Sequence, residues 1–139
     1  MSEKIVVSIK PKYMDLIIKK QKVNEFRNFK PKRGTINWMY VYVTSPISSL
    51  KYVLKIEDPV SFPNKVDEIG YGDSNFNLGK SKYKLAYPIV EVYELNSPLN
   101  MKKLNETFNF KGPQAYAYLS TYSLLKNHLE QTAQYTKII

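Results

Sequence analysis

The stretch KKQKVNEFRNFKPKR, residues 19–33, carries seven cationic side chains and one carboxylate. The cations are Lys19, Lys20, Lys22, Arg27, Lys30, Lys32 and Arg33, and the carboxylate is Glu25. Its centre, Val23–Phe29, has the alternation of a β-strand. Val23, Glu25, Arg27 and Phe29 fall on one face, and Asn24, Phe26 and Asn28 on the other. Glu25 and Arg27 are then same-face neighbours about 6.5–7 Å apart along the backbone. Lys22 has the opposite parity, at the turn leading in, and its direction is open. Lys30-Pro31-Lys32-Arg33-Gly34 reads as a turn or loop.

Strand signals recur on both sides of this stretch. Ile5-Val6-Val7-Ser8-Ile9 is a buried strand rich in β-branched residues. Pro11 suits the first turn of a short helix, about 11–20, with Met14, Ile17 and Ile18 on one face. Trp38–Thr44 is the clearest strand, and Ser45-Pro46 ends it. Leu50–Ile56 alternates apolar and Lys residues, as a half-exposed strand does. Residues 57–82, with Pro59, Pro63, Gly70, Gly72 and Gly79, predict a long loop with a short helical turn, mobile or covering a substrate. Tyr83–Leu95 is a strand in which Pro88 marks an edge or a bulge. Ser97-Pro98 predicts a helix start running to about Leu104. Tyr116–Leu119 is a last strand, and Ser123–Gln134 a closing helix with Leu124, Leu125 and Leu129 on its apolar face. Short strands with helices between some of them predict a single α+β domain over residues 1–139, a small mixed β-barrel with peripheral short helices.

Composition narrows the chemistry. The chain of 139 residues is 43% hydrophobic and 14% aromatic, enough for a folded core. It has no cysteine, so disulfides and thiolate metal sites are excluded, and the single His128 argues against a histidine zinc site or a Ser-His triad. Neither a metal nor a cofactor is expected. No 18-residue apolar run is present and the N-terminal apolar core is short, so the reading is a soluble, cytoplasmic protein with no membrane partner. Of the net charge of +9, residues 1–33 hold +7, from ten Lys/Arg against Glu3, Asp15 and Glu25. Such a concentrated field attracts polyanions, nucleic acid foremost. A lysine-rich solvated face gives the same count. Oligomeric state is left open.

Several motifs fail on spacing. Gly79-Lys80-Ser81 has six residues, not four, between its glycine and Gly72, so a phosphate loop is rejected. Gly70-Tyr71-Gly72 lacks the third glycine and the βαβ setting of a dinucleotide site. Asp67, Glu68 and Asp73 are read as solvated loop acids rather than metal ligands, and His128 as a surface or helix-end residue. Tyr40 and Tyr42 are read as core or barrel-lining, and a tyrosine exposed beside the basic segment would stack a base. Lys22-x-x-Glu25-x-Arg27 remains. A carboxylate flanked by cations ionises readily, which suits a hydrogen-bond acceptor or a base acting on a polarised water. The alternative is a structural Glu–Arg pair, and spacing alone does not choose.

The chain resembles the ASCH family, a branch of the PUA-like superfold, in four blocks that follow family order over residues 5–119. Val7-Ser8-Ile9-Lys10-Pro11 is similar to its opening Ser-Ile/Leu-Lys/His-Pro, and Lys22-x-x-Glu25-Phe26-Arg27 to its Gly-x-Lys-x-x-Glu-x-Arg. Val41-Tyr42-Val43-Thr44-Ser45-Pro46 resembles a family strand end, and Gly112-Pro113-Gln114-Ala115-Tyr116 a late Pro-Pro-Gln-Ser-Phe/Tyr segment. The family glycine before the lysine is Lys20 here, and the usual threonine after it is Val23. The resemblance implies a PUA-like barrel whose cleft binds RNA or a nucleotide, with a pocket of Lys22, Glu25, Arg27, Thr44 and Ser45. Lys10, Lys12, Lys19, Lys20, Lys30, Lys32 and Arg33 would contact phosphates. Other family branches are hydrolases. One removes acyl groups from modified cytidine with a Lys and a Thr where this chain has Glu25, and others are ribonucleases. An enzyme here would use Lys22 and Glu25, and a third reading is a regulatory protein-interaction module.

Overall fold

The structure is a computed structural model that describes residues 2–113 and 115–139. Gln114, within the fourth family-like block, lies outside the described residues. The elements run β1 (Ser2–Ile9), α1 (Pro11–Ile18), β2 (Asn24–Arg27), β3 (Thr35–Val43), β4 (Ser49–Ile56), β5 (Val60–Ser61), α2 (Asp73–Asn77), β6 (Leu85–Asn100), α3 (Met101–Phe108), β7 (Ala117–Tyr118), α4 (Ser123–Asn127) and β8 (Tyr135–Lys137). The strands form one mixed sheet of order β2-β6-β4-β3-β1-β7, with β5 and β8 both pairing with β6. The sheet curls into a half-barrel with a few short helices around it.

Alternation fixes which side chains fill the barrel. Ile5, Val7 and Ile9 of β1 lie beside Met39, Val41 and Val43 of β3 in a parallel register. All six belong to the inner core, together with Leu54, Tyr87 and Val92. Val6 and Tyr40 face outward, yet are also buried, under Leu104, Phe108, Leu125 and Leu129 of the C-terminal half. Cover on both faces is why β1 reads as a continuous apolar run. The parallel β1–β3 pair needs a crossover, which α1 and β2 supply. The α1 helix closes one end of the barrel with Met14 and Ile17.

Four expectations shift. The strand expected over Val23–Phe29 is limited to Asn24–Arg27. Its partners are Leu85–Pro88 of β6; Pro88 has no N–H to donate, and at the other end Lys84 N is taken by Asn28 Oδ1 at 2.9 Å. The helix expected from Ser97 is strand instead. Leu99 pairs with Leu50 and is buried, and the helix starts only after Asn100, whose side chain accepts from Lys103 N at 2.8 Å. Ladder pairing and burial override the local cap signal. The last strand is only Ala117–Tyr118. The closing helix is shorter too: α4 passes into one π-type turn, His128–Thr132, and then into β8, which pairs with Tyr93–Leu95 of β6. Leu125 and Leu129 are buried but Leu124 is 61% exposed. Pro88 does sit beside a bulge, since the β4 ladder skips from Ile89 to Glu91.

The segment 57–82 is anchored. Phe76 of α2 packs with Phe26 and Ala86, flanked by Val60, Phe62, Val66 and Tyr83, in a third apolar cluster. Asp73, expected to be solvated, is 0% exposed. It accepts from Asn24 Nδ2 at 2.9 Å, Gly70 N at 3.0 Å and Ile69 N at 3.3 Å. Tyr71 N donates to Gln21 O at 2.7 Å. Gly72 has φ 85°, and a Cβ there would lie 2.7 Å from the Phe26 ring. So the loop is bolted to the α1–β2 turn and to β2.

Asp73→Ala would leave Asn24 and two loop amides without their buried acceptor, at a cost of about 1–3 kcal/mol. Urea unfolding is expected to show that loss, with faster proteolysis within residues 57–72. Unchanged stability and cleavage would contradict the anchoring role.

Candidate functional site

Three side chains of the opening stretch converge. Arg27 Nε donates to Glu25 Oε2 at 2.8 Å, and Nη2 lies 2.7 Å from the same oxygen as an ion pair. Lys22 Nζ lies 3.5 Å from Glu25 Oε1 and donates to Asn24 O at 2.7 Å. Arg27 Nη2 also donates to Ser8 O at 2.8 Å. That bond joins β2 to β1, which are not neighbours in the sheet, so the guanidinium spans the open side of the half-barrel. Lys22 and Glu25 are 5% and 6% exposed. Lys22 Nζ rests 4.5 Å from the centre of the Phe26 ring. The geometry that sends Lys22 inward despite its parity begins at Lys20. Its φ of 61° is the left-handed conformation a glycine adopts easily, so the lysine here makes a glycine-type turn.

The cluster forms part of the wall of a cleft of about 410 Å³. Ser8, Lys10 and Tyr13 line it from β1 and α1, and Tyr71, Gly72 and Asn75 from the anchored loop and α2. Ser81, Lys82 and Tyr83 complete the rim. Glu25 is the single carboxylate among the lining residues, against Lys10, Lys22, Arg27 and Lys82. Tyr13 and Tyr71 pack at 5.7 Å between centroids. The interaction between the two phenols lowers the Tyr13 pKa from its usual value and raises that of Tyr71. The cleft therefore joins a buried carboxylate, tyrosine walls and a cationic rim.

The expected pocket divides. Lys22, Glu25 and Arg27 line the cleft, whereas Thr44 and Ser45 are not among its lining residues. Thr44 N is bonded to Ile9 O at 3.1 Å, and Ser45 is exposed in the turn after β3. The expected phosphate contacts are scattered. Lys10 lines the cleft, and exposed Lys12 lies 5.0 Å from the Tyr13 ring. Lys19 and Lys20 are exposed at the end of α1, and Lys30, Lys32 and Arg33 on the loop after β2. Tyr13, Tyr71, Asn75, Lys82 and Tyr83 went unassigned in the sequence. The alternating Lys80-Ser81-Lys82-Tyr83-Lys84 run was a readable signal for two of them.

His128, half-buried, packs on Phe108 with centroids 5.0 Å apart, away from the cleft. A second hollow of about 400 Å³ lies among Trp38, Tyr40, Tyr93, Glu130 and Tyr135. Among the described residues no group of three His, Cys, Asp or Glu could hold a metal, and no helix is long and apolar enough to cross a membrane.

Burial lowers the Lys22 pKa from 10.5, with the neighbouring Glu25 opposing the shift. Between the lowered folded value and 10.5 the unfolded chain binds more protons, so this group makes stability rise with pH. The stability of the wild type relative to Lys22→Met is therefore expected to increase as pH climbs toward 10.5 and then level off. A difference that falls over that range in chemical denaturation would mean that Glu25, not burial, dominates.

No family model matches this chain, and no curated protein matches it. Among solved structures, the ASCH protein of Zymomonas mobilis matches with TM-score 0.68 and 18% identity, covering 95% of this chain and 96% of that one. Two single-substitution variants of the same protein match with TM-score 0.70, at 19% and 18% identity, again over 95% of this chain and over 97% and 99% of theirs. Over nearly its whole length, then, this chain has an ASCH-like fold.

Proposed function

We propose that the cleft binds one nucleotide unit of a single-stranded nucleic acid, RNA in the first instance, with Glu25 as the acceptor for a base. The observation that carries this reading is the buried carboxylate in a tyrosine-walled, cationic cleft. A base presents ring N–H or exocyclic amine donors of the kind that carboxylates accept from, as with cytosine N4. Tyrosine faces stack bases at about 1–3 kcal/mol each. Lys10, Lys12 and Lys82 stand at or near the rim where phosphates would pass, and the ASCH-like fold adds support at the level of architecture. Glu25, already held by Arg27 and Lys22, arrives pre-oriented, and a fixed acceptor loses little entropy on binding.

A second reading, hydrolysis of RNA or of a modified nucleoside, draws on Lys22. Burial lowers its amine pKa and it lies against Glu25, a pairing suited to proton transfer. Turnover of a labelled RNA or of an acylcytidine that is abolished in Glu25→Gln, with binding retained, would favour it. Turnover that survives this substitution would exclude the assigned role.

Titration of a labelled single-stranded RNA at several salt concentrations tests the binding reading. Affinity is expected to fall with a log–log slope of about −0.7 per phosphate contacted. Lys10→Ala and Lys82→Ala are each expected to make that slope shallower by about 0.7. No binding at about 50 mM salt, or a flat dependence, would overturn the reading.

A further inference from the structure

The cleft does not end at Arg27. The Arg27 guanidinium lies 5.7 Å from the Phe29 ring. Phe29 packs on Tyr116 at 4.5 Å, and Tyr116 meets Tyr118 edge-on at 5.4 Å. The Arg33 guanidinium then lies 4.1 Å from the Tyr118 ring. So a chain of three rings, with an arginine at each end, runs from the cleft wall to the basic loop after β2. Phe29, Tyr116 and Tyr118 are half-buried, and Arg33 is exposed.

The ladder is held in place from beneath and from the side. Buried Tyr87 packs against Phe29 at 6.3 Å, and its hydroxyl donates to Phe29 O at 2.8 Å. The Tyr118 hydroxyl accepts from Lys32 N at 2.9 Å and from Arg33 N at 3.4 Å, which ties the basic loop to β7. Glu3 marks the far end, accepting from Ser120 Oγ at 2.9 Å. Between Arg27 and that point the strip presents rings and the cations Lys30, Lys32 and Arg33.

Resting on the binding reading above, we infer that this ladder is a second subsite, a track for the nucleotides that flank the one in the cleft. A row of rings bordered by cations suits a single strand, whose bases offer stacking faces and whose phosphates follow the charges. A duplex keeps its base faces covered and would gain nothing from the rings. The consequence is a length preference: the ligand is a single-stranded segment several nucleotides long, not a free mononucleotide. Arg33 stacks an outer base on the guanidinium face turned away from Tyr118.

The test compares uridine monophosphate with a fluorescein-labelled single-stranded RNA hexamer, by calorimetry and anisotropy at fixed salt. The wild type is expected to bind the hexamer far more tightly. Tyr116→Ala and Arg33→Ala are each expected to weaken the hexamer about tenfold or more while leaving the mononucleotide unchanged. Tyr116→Phe, which keeps the ring, is expected to restore hexamer affinity, and the unchanged mononucleotide binding of Tyr116→Ala separates stacking from loss of the fold. If both alanine variants bind the hexamer as the wild type does, the ladder is not a track, although the cleft reading stands. If neither probe binds, the cleft reading falls and the track with it.

Discussion

The Arg27 guanidinium holds two parts of this molecule in register. It grips Glu25 with two nitrogens and reaches the Ser8 carbonyl on β1, a strand that β2 does not pair with. Without that bridge the half-barrel has a gap between its first two strands. Arg27 and Lys22 both lean on Glu25, so the carboxylate is a structural counter-ion. It is also the acid that lines the cleft. The two roles share a cause. A carboxylate buried to this degree needs cationic partners, and partners that hold it still also aim it. Clamp and site are one cluster.

The cleft exists because the loop opposite is fixed. Asp73 turns back to cap the amides of Ile69 and Gly70 and reaches Asn24 on β2, and Gly72 lets the backbone pass against Phe26. These contacts put Tyr71 against Tyr13 and bring Asn75 to the cavity. A loop tethered at this point acts as a wall of the cleft. The long β6 is the common frame: β2 and β5 flank its first residues, β4 and β8 its later ones.

Much of this was legible in the sequence where both pattern and burial agree. Ile5–Ile9 and Trp38–Val43 read as strands because each is apolar on both faces, and each face packs against a different core. Lys22, Glu25 and Arg27 stood out as charges around a short strand, and the structure brings them together. The errors have particular causes. Ser97-Pro98 carries a sound helix-start signal, but the pairing of Leu99 with Leu50 extends the strand past it. Ser123–Gln134 has helical spacing, yet its end turns to cover the free edge of β6. Asp73 looked like any loop acid, because its partners lie at position 24 and in its own loop, and no local pattern announces them. Thr44 and Ser45 came from resemblance alone, and neither lines the cleft. Tyr71 was hidden among twelve tyrosines whose exposure only the fold decides.

The cleft and the second hollow can be told apart in solution. Backbone amide chemical shifts of isotopically labelled protein, followed by NMR during titration with a single-stranded RNA, report which of them is occupied. Binding in the cleft is expected to give the largest changes at Ser8, Lys10, Tyr13, Gly72, Asn75 and Lys82, with the Arg27 side-chain Nε–H also shifting as the base engages Glu25. Changes centred instead on Trp38, Tyr93 and Tyr135, with the Arg27 signal unmoved, would contradict it.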